Sequence, residues 1–201
     1  MSTDRTEREP WNGLDRFLFR RRMGRIREFV PRDCVLLDVG CGYHFELLKH
    51  FRNRLRAGYG ADLQVPDLQV PDLQVPPIEL FRLDLGHDDF PLPEGSVDVV
   101  TFLAVIEHLD DPGPVLGEIR RVLMPRGTLL LTTPTPPAQP ILASLCHTGL
   151  LRNRDALDHK ILYTRARLAA VLENSGLRLV EHRYFQFGLN QFGRAEKIGK
   201  P

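Results

Sequence analysis

The sequence has little of what a secreted, membrane-spanning or polyanion-binding protein needs. Its three cysteines, an odd number without metal-type spacing, argue against a disulfide framework or a metal site and favour reduced thiols in a cytoplasm. The longest apolar stretch near the middle, residues 97–106, is interrupted by Asp98 and Thr101 and is far shorter than the roughly 20 residues that cross a bilayer. No secretory signal is expected, because the N-terminus has no apolar run before a cleavage site. A formal net charge of +1 does not favour nucleic acid as a partner.

What is present is typical of one globular domain with an adequate core: 201 residues, 42% of them hydrophobic. Apolar runs alternate between strand and helix character, which predicts βαβ units and a mostly parallel sheet covered by helices. The predicted strands are residues 35–39, 57–62, 78–83, 97–102, 128–132 and 177–182. The predicted helices are residues 46–56, 114–123 and 165–175.

The first 30 residues form an arginine-rich segment. Residues 1–32 contain nine arginines and five acids, and apolar residues recur at helical spacing from Leu14 to Val30. One interpretation is an amphipathic helix that docks on the domain and leaves its arginines in solvent. The other is a lid over the substrate, or a surface from Arg16 to Arg27 for an anionic partner such as the headgroups of a peripheral membrane contact.

A pentad repeat interrupts the alternation of strands and helices. Asp-Leu-Gln-Val-Pro occurs at residues 62–66, 67–71 and 72–76. A proline at every fifth position removes amide donors and clashes with the preceding turn, so no helix is expected there. We predict an extended loop between the second and third strands that carries no chemistry.

The segment from Leu36 to Tyr43 carries the strongest functional signal. A buried strand ends at Asp38 and is followed by a turn in which Gly40 and Gly42 flank Cys41, so a ligand can approach the backbone closely. The third glycine of a dinucleotide-binding turn would fall at Phe45, which argues against that class. Cys41 is interpreted as a small residue in a tight space.

This segment resembles motif I of the class I S-adenosylmethionine (SAM)-dependent methyltransferases, with His44 where a further glycine is common. Residues 93–108 and 116–131 resemble the motif IV region and the helix, turn and strand that follow it in the small-molecule subgroup. The resemblance implies SAM as cofactor and a Rossmann-like, mostly parallel seven-stranded sheet flanked by helices, with an antiparallel last strand. It predicts an N-terminal extension over residues 1–30, the methyltransferase domain over residues 31–192 and a tail over residues 193–201.

The predicted cofactor site lies at the ends of successive strands. Asp62 follows Gly40 by 22 residues and ends the second strand, where an acid can bind ribose hydroxyls. The resemblance places Asp84 and Leu85 beside the adenine. The remaining predicted cofactor-binding residues lie in the glycine turn or follow strand ends, and they are Asp38, Gly40, Cys41, Gly42, Leu63, Leu103 and Ala104.

Methyl transfer is an in-line displacement that relies on alignment and needs a base only when the acceptor loses a proton. His108 and His159 are the candidate catalytic bases, each with a structural role as the alternative. Residues 134–163 are predicted to cap the acceptor site and suggest a small or amphiphilic acceptor. Two other functions stay open: a catalytically inactive SAM-binding partner or sensor, and an NAD-dependent oxidoreductase.

Overall fold

The computed structural model describes residues 13–66, 77–147 and 160–198. The strands are β1 (Cys34–Val39), β2 (Leu55–Asp62), β3 (Ile78–Arg82), β4 (Val97–Leu103), β5 (Leu123–Pro134), β6 (Leu177–Phe185) and β7 (Asn190–Lys197). The helices are α1 (Gly13–Ile26), α2 (Glu46–Phe51), α3 (Gly113–Val122), α4 (Ala138–His147) and α5 (Arg165–Asn174). None of these helices is long and apolar enough to span a membrane.

The strands form one sheet in the order β3-β2-β1-β4-β5-β7-β6. β7 runs antiparallel to both of its neighbours, whereas the pairs among β1 to β5 are parallel. The predicted fold class is therefore confirmed, including the antiparallel last strand. The chain reverses its direction across the sheet between β1 and β4, which makes their carboxyl ends the topological switch point where ligands bind in such sheets.

Successive side chains of the strands point to opposite faces of the sheet, and each face has its own hydrophobic core. Leu37 belongs to the core that the apolar faces of α3 and α5 complete, whereas Leu36 belongs to the core that receives α1 and α2. In α3 the buried residues recur at helical spacing, as an amphipathic helix requires, and they are Val115, Leu116, Ile119 and Val122. The result is a sheet covered by helices on both faces.

The N-terminal helix docks on the second of these cores. Met23, Ile26 and Val30 are at most 2% exposed and pack with Leu36 and Phe51, so α1 is an integral layer of the domain. The exposed residues of the helix include Arg16, Arg20 and Arg21. The helix thus docks on the domain, as the first interpretation expects. It also has an exposed basic surface, as the second interpretation requires.

The expected turn before the fifth strand is a bulge within a longer strand. Val97 pairs with Leu123 and Val99 pairs with Thr128, so one residue of β4 opposes four of β5. Arg126 adopts a φ of +69° in this bulge. The strand therefore begins five residues earlier than predicted.

Other predicted boundaries also shift. The helix predicted over residues 46–56 ends at Phe51 and continues as a 3-10 helix over Arg52–Arg54. The predicted domain boundary at residue 192 falls inside β7, which pairs with β5 and β6 beyond that point. Gly193 interrupts the pattern of side chains in β7. A Cβ at this position would lie 3.0 Å from Leu179, so little space is left for a side chain. Repeat residues 67–76 are outside the described residues.

Both ends of the 134–163 segment are fastened to the β6–β7 hairpin. At the start, the Thr135 hydroxyl donates to the Gly188 carbonyl at 2.7 Å and the Thr135 amide to the Leu189 carbonyl at 3.0 Å. At the end, the buried Gln191 side chain donates to the Tyr163 carbonyl at 2.6 Å. Residues 148–159 between these ends are outside the described residues.

Candidate functional site

The glycine turn after β1 is held open by the end of β2. Gly40 and Gly42 have φ values of +78° and +66°, which glycine adopts without strain. The Gly40 amide donates to the Ala61 carbonyl at 2.7 Å, and the Gly42 amide donates to Asp62 Oδ2 at 2.8 Å. Asp62 therefore stands beside the turn, as its spacing predicts. No atom of the described residues lies within 4 Å of a Cβ built on Gly42, so this side of the turn faces open space among them.

His44 and Cys41 both fit this turn. The His44 side chain is exposed and stacks edge-on against Tyr43, so it does not enter the turn. Cys41 is half-buried, and a Cβ on Gly60 would lie 2.9 Å from its sulfur. Burial raises the pKa of the Cys41 thiol, and the charges of Asp38 and Asp62 add to the effect. The thiol is therefore a protonated space-filling group, in agreement with its interpretation as a small residue in a tight space.

Asp38 lies at the switch point, 3% exposed. The Thr101 hydroxyl on β4 donates to its Oδ1 at 2.7 Å. Burial raises the pKa of Asp38 to about 7; the Thr101 hydrogen bond lowers it, Asp62 raises it and Arg22 lowers it. A cationic ligand would lower this pKa, because it favours the carboxylate over the acid.

The end of β2 offers both a polar and an apolar contact. Asp62 Oδ1 accepts the Gln64 amide at 2.9 Å, so both carboxylate oxygens are oriented by backbone amides and keep lone pairs for further donors. The next side chain, Leu63, is 62% exposed. An acid that can accept two hydroxyls beside an exposed leucine suits a nucleoside.

A strained residue directly follows β4. Ala104 has a φ of +58°, and its amide donates to the Thr132 carbonyl of β5 at 2.8 Å. Non-glycine residues in this region cost roughly 1–2 kcal/mol and concentrate at functional sites. Leu103, the last residue of β4, is half-buried beside it.

Glu107 is a site residue that the sequence interpretation missed. It lies in the 3-10 helix Ile106–His108, is fully buried, and neither carboxylate oxygen has a hydrogen-bonding partner among the described residues. Burial raises its pKa, whereas its own backbone, His108, the nearby Thr133 hydroxyl and Arg22 lower it. The Thr133 hydroxyl is close enough to act on this pKa but does not reach hydrogen-bonding geometry with either oxygen. The only signal in the sequence is an acid directly after the apolar residues 102–106. The half-buried His108 beside it stays a prediction as a base.

Asp84 and Leu85 lie beyond the edge strand β3, and the structure does not bring Asp84 into the group at the switch point. The Asp84 carboxylate accepts the Gly86 amide at 3.2 Å and lies 3.2 Å from His87 Nδ1, which closes a local turn. The Gly86 hydrogen bond and the His87 contact lower its pKa. A role for either residue beside adenine stays a prediction. His159 is outside the described residues.

The residues present fit SAM on the observations that the structure offers. A cradle of two glycines faces open space on one side, Asp62 and Leu63 suit the ribose and the adenine, and buried acids suit a cation. No group of three or more metal-ligating side chains occurs among the described residues.

Replacing Asp62 by alanine should lower the affinity for S-adenosylhomocysteine about thirtyfold, since one charged hydrogen bond contributes about 1.5–3 kcal/mol. The Gly42 amide also loses its acceptor, which loosens the turn. Calorimetric titration measures the change. Asp98→Ala is the matched control, because Asp98 accepts the Val35 amide at the other end of β1. Equal affinities for the Asp62 variant and the unsubstituted chain would contradict the assignment.

Comparison with known proteins identifies the family. The profile described as a methyltransferase domain matches residues 12–182, so the chain belongs to this methyltransferase family. The match includes α1 and ends within β6.

Three relatives are informative. Two proteins named as probable SAM-dependent methyltransferases are 46% identical over 56 residues (Mycolicibacterium smegmatis) and 33% identical over 126 residues (Mycobacterium tuberculosis). These alignments cover 26% and 60% of this chain but only 22% and 44% of the relatives, so the chain spans less than half of their length. The third is a structure of the 1,6-didemethyltoxoflavin-N1-methyltransferase of Burkholderia thailandensis with bound 1,6-didemethyltoxoflavin and S-adenosylhomocysteine. It has a TM-score of 0.66 at 17% identity, covering 90% of this chain and 78% of that one, and shows the shared fold.

Proposed function

We propose that this chain is a SAM-dependent methyltransferase whose acceptor is a small or amphiphilic molecule. The observation that carries the proposal is the glycine turn at the switch point, held by the 2.8 Å hydrogen bond from Gly42 to Asp62 and flanked by the buried Asp38. This hydrogen bond joins two residues that are 20 positions apart in the sequence. A turn with a purely structural role does not require such a contact. Family membership supports the same chemistry.

When bound, the cofactor supplies a methyl group on a sulfonium: the acceptor's lone pair forms a bond to the methyl carbon while the carbon–sulfur electron pair returns to sulfur. The chain's contribution is to hold the two reactants in line and to exclude water. Gly40 allows the backbone to approach the ligand, Asp62 orients the ribose, and the strained Ala104 fixes the end of β4.

Two groups beside the end of β4 can take a proton from the acceptor. His108 is half-buried, and Glu107 is buried, with a pKa raised by burial and with carboxylate oxygens that no described residue hydrogen-bonds. A raised pKa suits a carboxylate to proton transfer near neutral pH. An acceptor that loses no proton on methylation needs neither group.

The acceptor is assigned to the segment 134–163. Its two ends are fixed on the β6–β7 hairpin, and α4 carries the exposed Ile141. Loops beyond the carboxyl ends of the strands are where open α/β sheets bind their ligands. The bound 1,6-didemethyltoxoflavin in the structural neighbour supports a small-molecule acceptor on this fold.

The basic face of α1 is proposed to contact an anionic surface. Arg16 and Arg20 lie one turn apart and are exposed beside Phe17, whose side chain is 55% exposed. An arginine near an anionic membrane contributes about 1 kcal/mol. Replacing both by glutamine should weaken binding to phosphatidylglycerol vesicles roughly thirtyfold, as measured by co-sedimentation. Binding to phosphatidylcholine vesicles is the control, and equal binding to both lipids would contradict this proposal.

The function is tested by titrating the chain with SAM, S-adenosylhomocysteine and NAD and by radiolabelled methyl transfer into a cell extract. We expect SAM and S-adenosylhomocysteine to bind and NAD not to bind. The radiolabel should enter a small-molecule or lipid fraction of the extract. Binding without transfer would favour the inactive partner or sensor. Binding of NAD alone would overturn the proposal.

A further inference from the structure

Two arginines of α1 are partly withdrawn from solvent: Arg25, which lies over the Phe185 ring, and Arg22. Arg20 and Arg21 are exposed, whereas Arg22 is half-buried beside the fully docked Met23. The Arg22 guanidinium is close enough to Glu107 and Asp38 to interact with both charges. α1 therefore carries one positive charge to the carboxyl ends of β1 and β4.

The Arg22 guanidinium does not close a direct ion pair with either acid. Within the described residues, no carboxylate oxygen lies within 4.0 Å of its nitrogens, and the oxygens of Glu107 have no hydrogen-bonding partner. Arg121 shows what a structural arginine does in the same chain: it contacts Glu118 at 2.7 Å and donates to the carbonyls of Phe90 and Leu92. Burying separated charges is costly, so the gap around Arg22 requires another reason.

We propose that Arg22 receives the carboxylate of the methionyl end of the cofactor, whose ammonium then lies on the side of Asp38 and Glu107. This inference rests on the proposed function and adds a cofactor-binding residue to it. A carboxylate placed at the guanidinium gains charge-assisted hydrogen bonds, often two in parallel. The ammonium must point the opposite way, toward the acids.

The net charges of the group and the cofactor also match. When ionised, Asp38 and Glu107 with Arg22 carry one net negative charge, whereas SAM carries one net positive charge, from its sulfonium, ammonium and carboxylate. Bound together, these three side chains and the cofactor have no net charge, and the half-buried Asp62 is the remaining acid that acts on Asp38. Burial raises the pKa of both Asp38 and Glu107, so a cationic ligand favours the charged form of each acid.

The test compares ligands that differ only at the methionyl end. S-adenosylhomocysteine has the carboxylate and the ammonium, whereas 5′-methylthioadenosine has neither. Arg22→Ala should lower the affinity for S-adenosylhomocysteine tenfold to thirtyfold and leave the affinity for 5′-methylthioadenosine unchanged. Arg21→Ala, one position earlier and exposed, should change neither affinity. Both affinities are measured by calorimetric titration, without any acceptor.

Arg22→Lys keeps the charge without the planar fork and should lose less S-adenosylhomocysteine affinity than Arg22→Ala, so it tests the contact if the alanine variant does not fold. Near-ultraviolet circular dichroism checks the fold of each variant. Equal losses for both ligands, or no loss for either, would overturn the assignment of Arg22 while leaving the proposed function in place. If the unsubstituted chain binds 5′-methylthioadenosine and S-adenosylhomocysteine equally, the methionyl contact is also overturned. If it binds neither, the proposed function fails as well.

Discussion

Asp38→Asn is expected to make the cofactor-free chain more stable at pH 8 while weakening cofactor binding. The Asp38 carboxyl is buried, and its folded-state pKa is about 7 against about 3.9 in an unfolded chain. The folded state therefore binds this proton more tightly, so the contribution of Asp38 to stability falls as pH rises from about 4 to about 7. A difference of three units corresponds to about 4 kcal/mol at most.

Asparagine keeps the shape of the side chain and an oxygen that accepts the Thr101 hydroxyl, but it cannot ionise. Urea unfolding at pH 5 and pH 8 should show that the stabilising effect of Asp38→Asn at pH 8 shrinks at pH 5. Asp33→Asn is the control, since the Asp33 side chain is 80% exposed and should show little change at either pH. A stabilisation that is the same at both pH values would mean that ionisation of Asp38 is not its cause.

Binding should change in the opposite direction. The carboxylate of Asp38 is the form that a cationic ligand requires, so its loss should lower SAM affinity at least tenfold, as measured by titration at pH 8. A variant that gains stability and keeps its affinity would remove Asp38 from the site. The two results together separate a residue kept for binding from one kept for folding.

Gly40→Ala should destabilise the chain by about 3 kcal/mol and lower cofactor affinity at least a hundredfold. A Cβ at this position would lie 2.3 Å from Val105 Cγ2, and the φ of +78° disfavours any side chain. Either the turn or Val105 must move, and Val105 directly follows the strained Ala104. The damage therefore reaches both strand ends at the switch point. Thermal unfolding and titration with S-adenosylhomocysteine measure the two effects.

Gly42→Ala is the matched control for Gly40→Ala. Its φ of +66° is similarly unfavourable, but in the part of the chain that the structure describes no atom lies within 4 Å of the added Cβ, so the substitution should cost only about 1–2 kcal/mol. Val105→Ala in the Gly40→Ala background removes the colliding methyl groups and should recover part of the lost stability. The collision would be excluded as the cause if the two glycine variants were equally destabilised and the double variant recovered nothing.

The sequence was sufficient to locate six of the seven strands, because they contain short apolar runs, but not the bounds of β7, whose sequence is polar and interrupted by Gly193. The turn at Gly40 and its partner Asp62 were also predictable, since a ligand at strand ends imposes their spacing. The bulge at residues 124–127 was not, because Met124-Pro125-Arg126-Gly127 resembles a turn whether or not the chain stays in the sheet. Composition alone does not distinguish the two.

Arg22 could not be selected from the sequence for a different reason. It is the third of three consecutive arginines, and helical spacing alone gives none of them priority. Which one faces inward depends on how Met23 and Ile26 seat α1 on the core. That angle is set by side chains from the rest of the domain. Glu107 could not be selected either, because the charge that acts on it, Arg22, is distant along the chain.

The way the segment 134–163 is fastened has a consequence for the proposed acceptor site. Thr135 and Tyr163 are both held by the β6–β7 hairpin through backbone-directed hydrogen bonds that do not depend on the residues between them. Loop insertions add little entropic cost when the anchor points stay fixed. We therefore expect that the residues between these two anchors can be lengthened, shortened or replaced, in evolution or by design, without moving the anchors themselves.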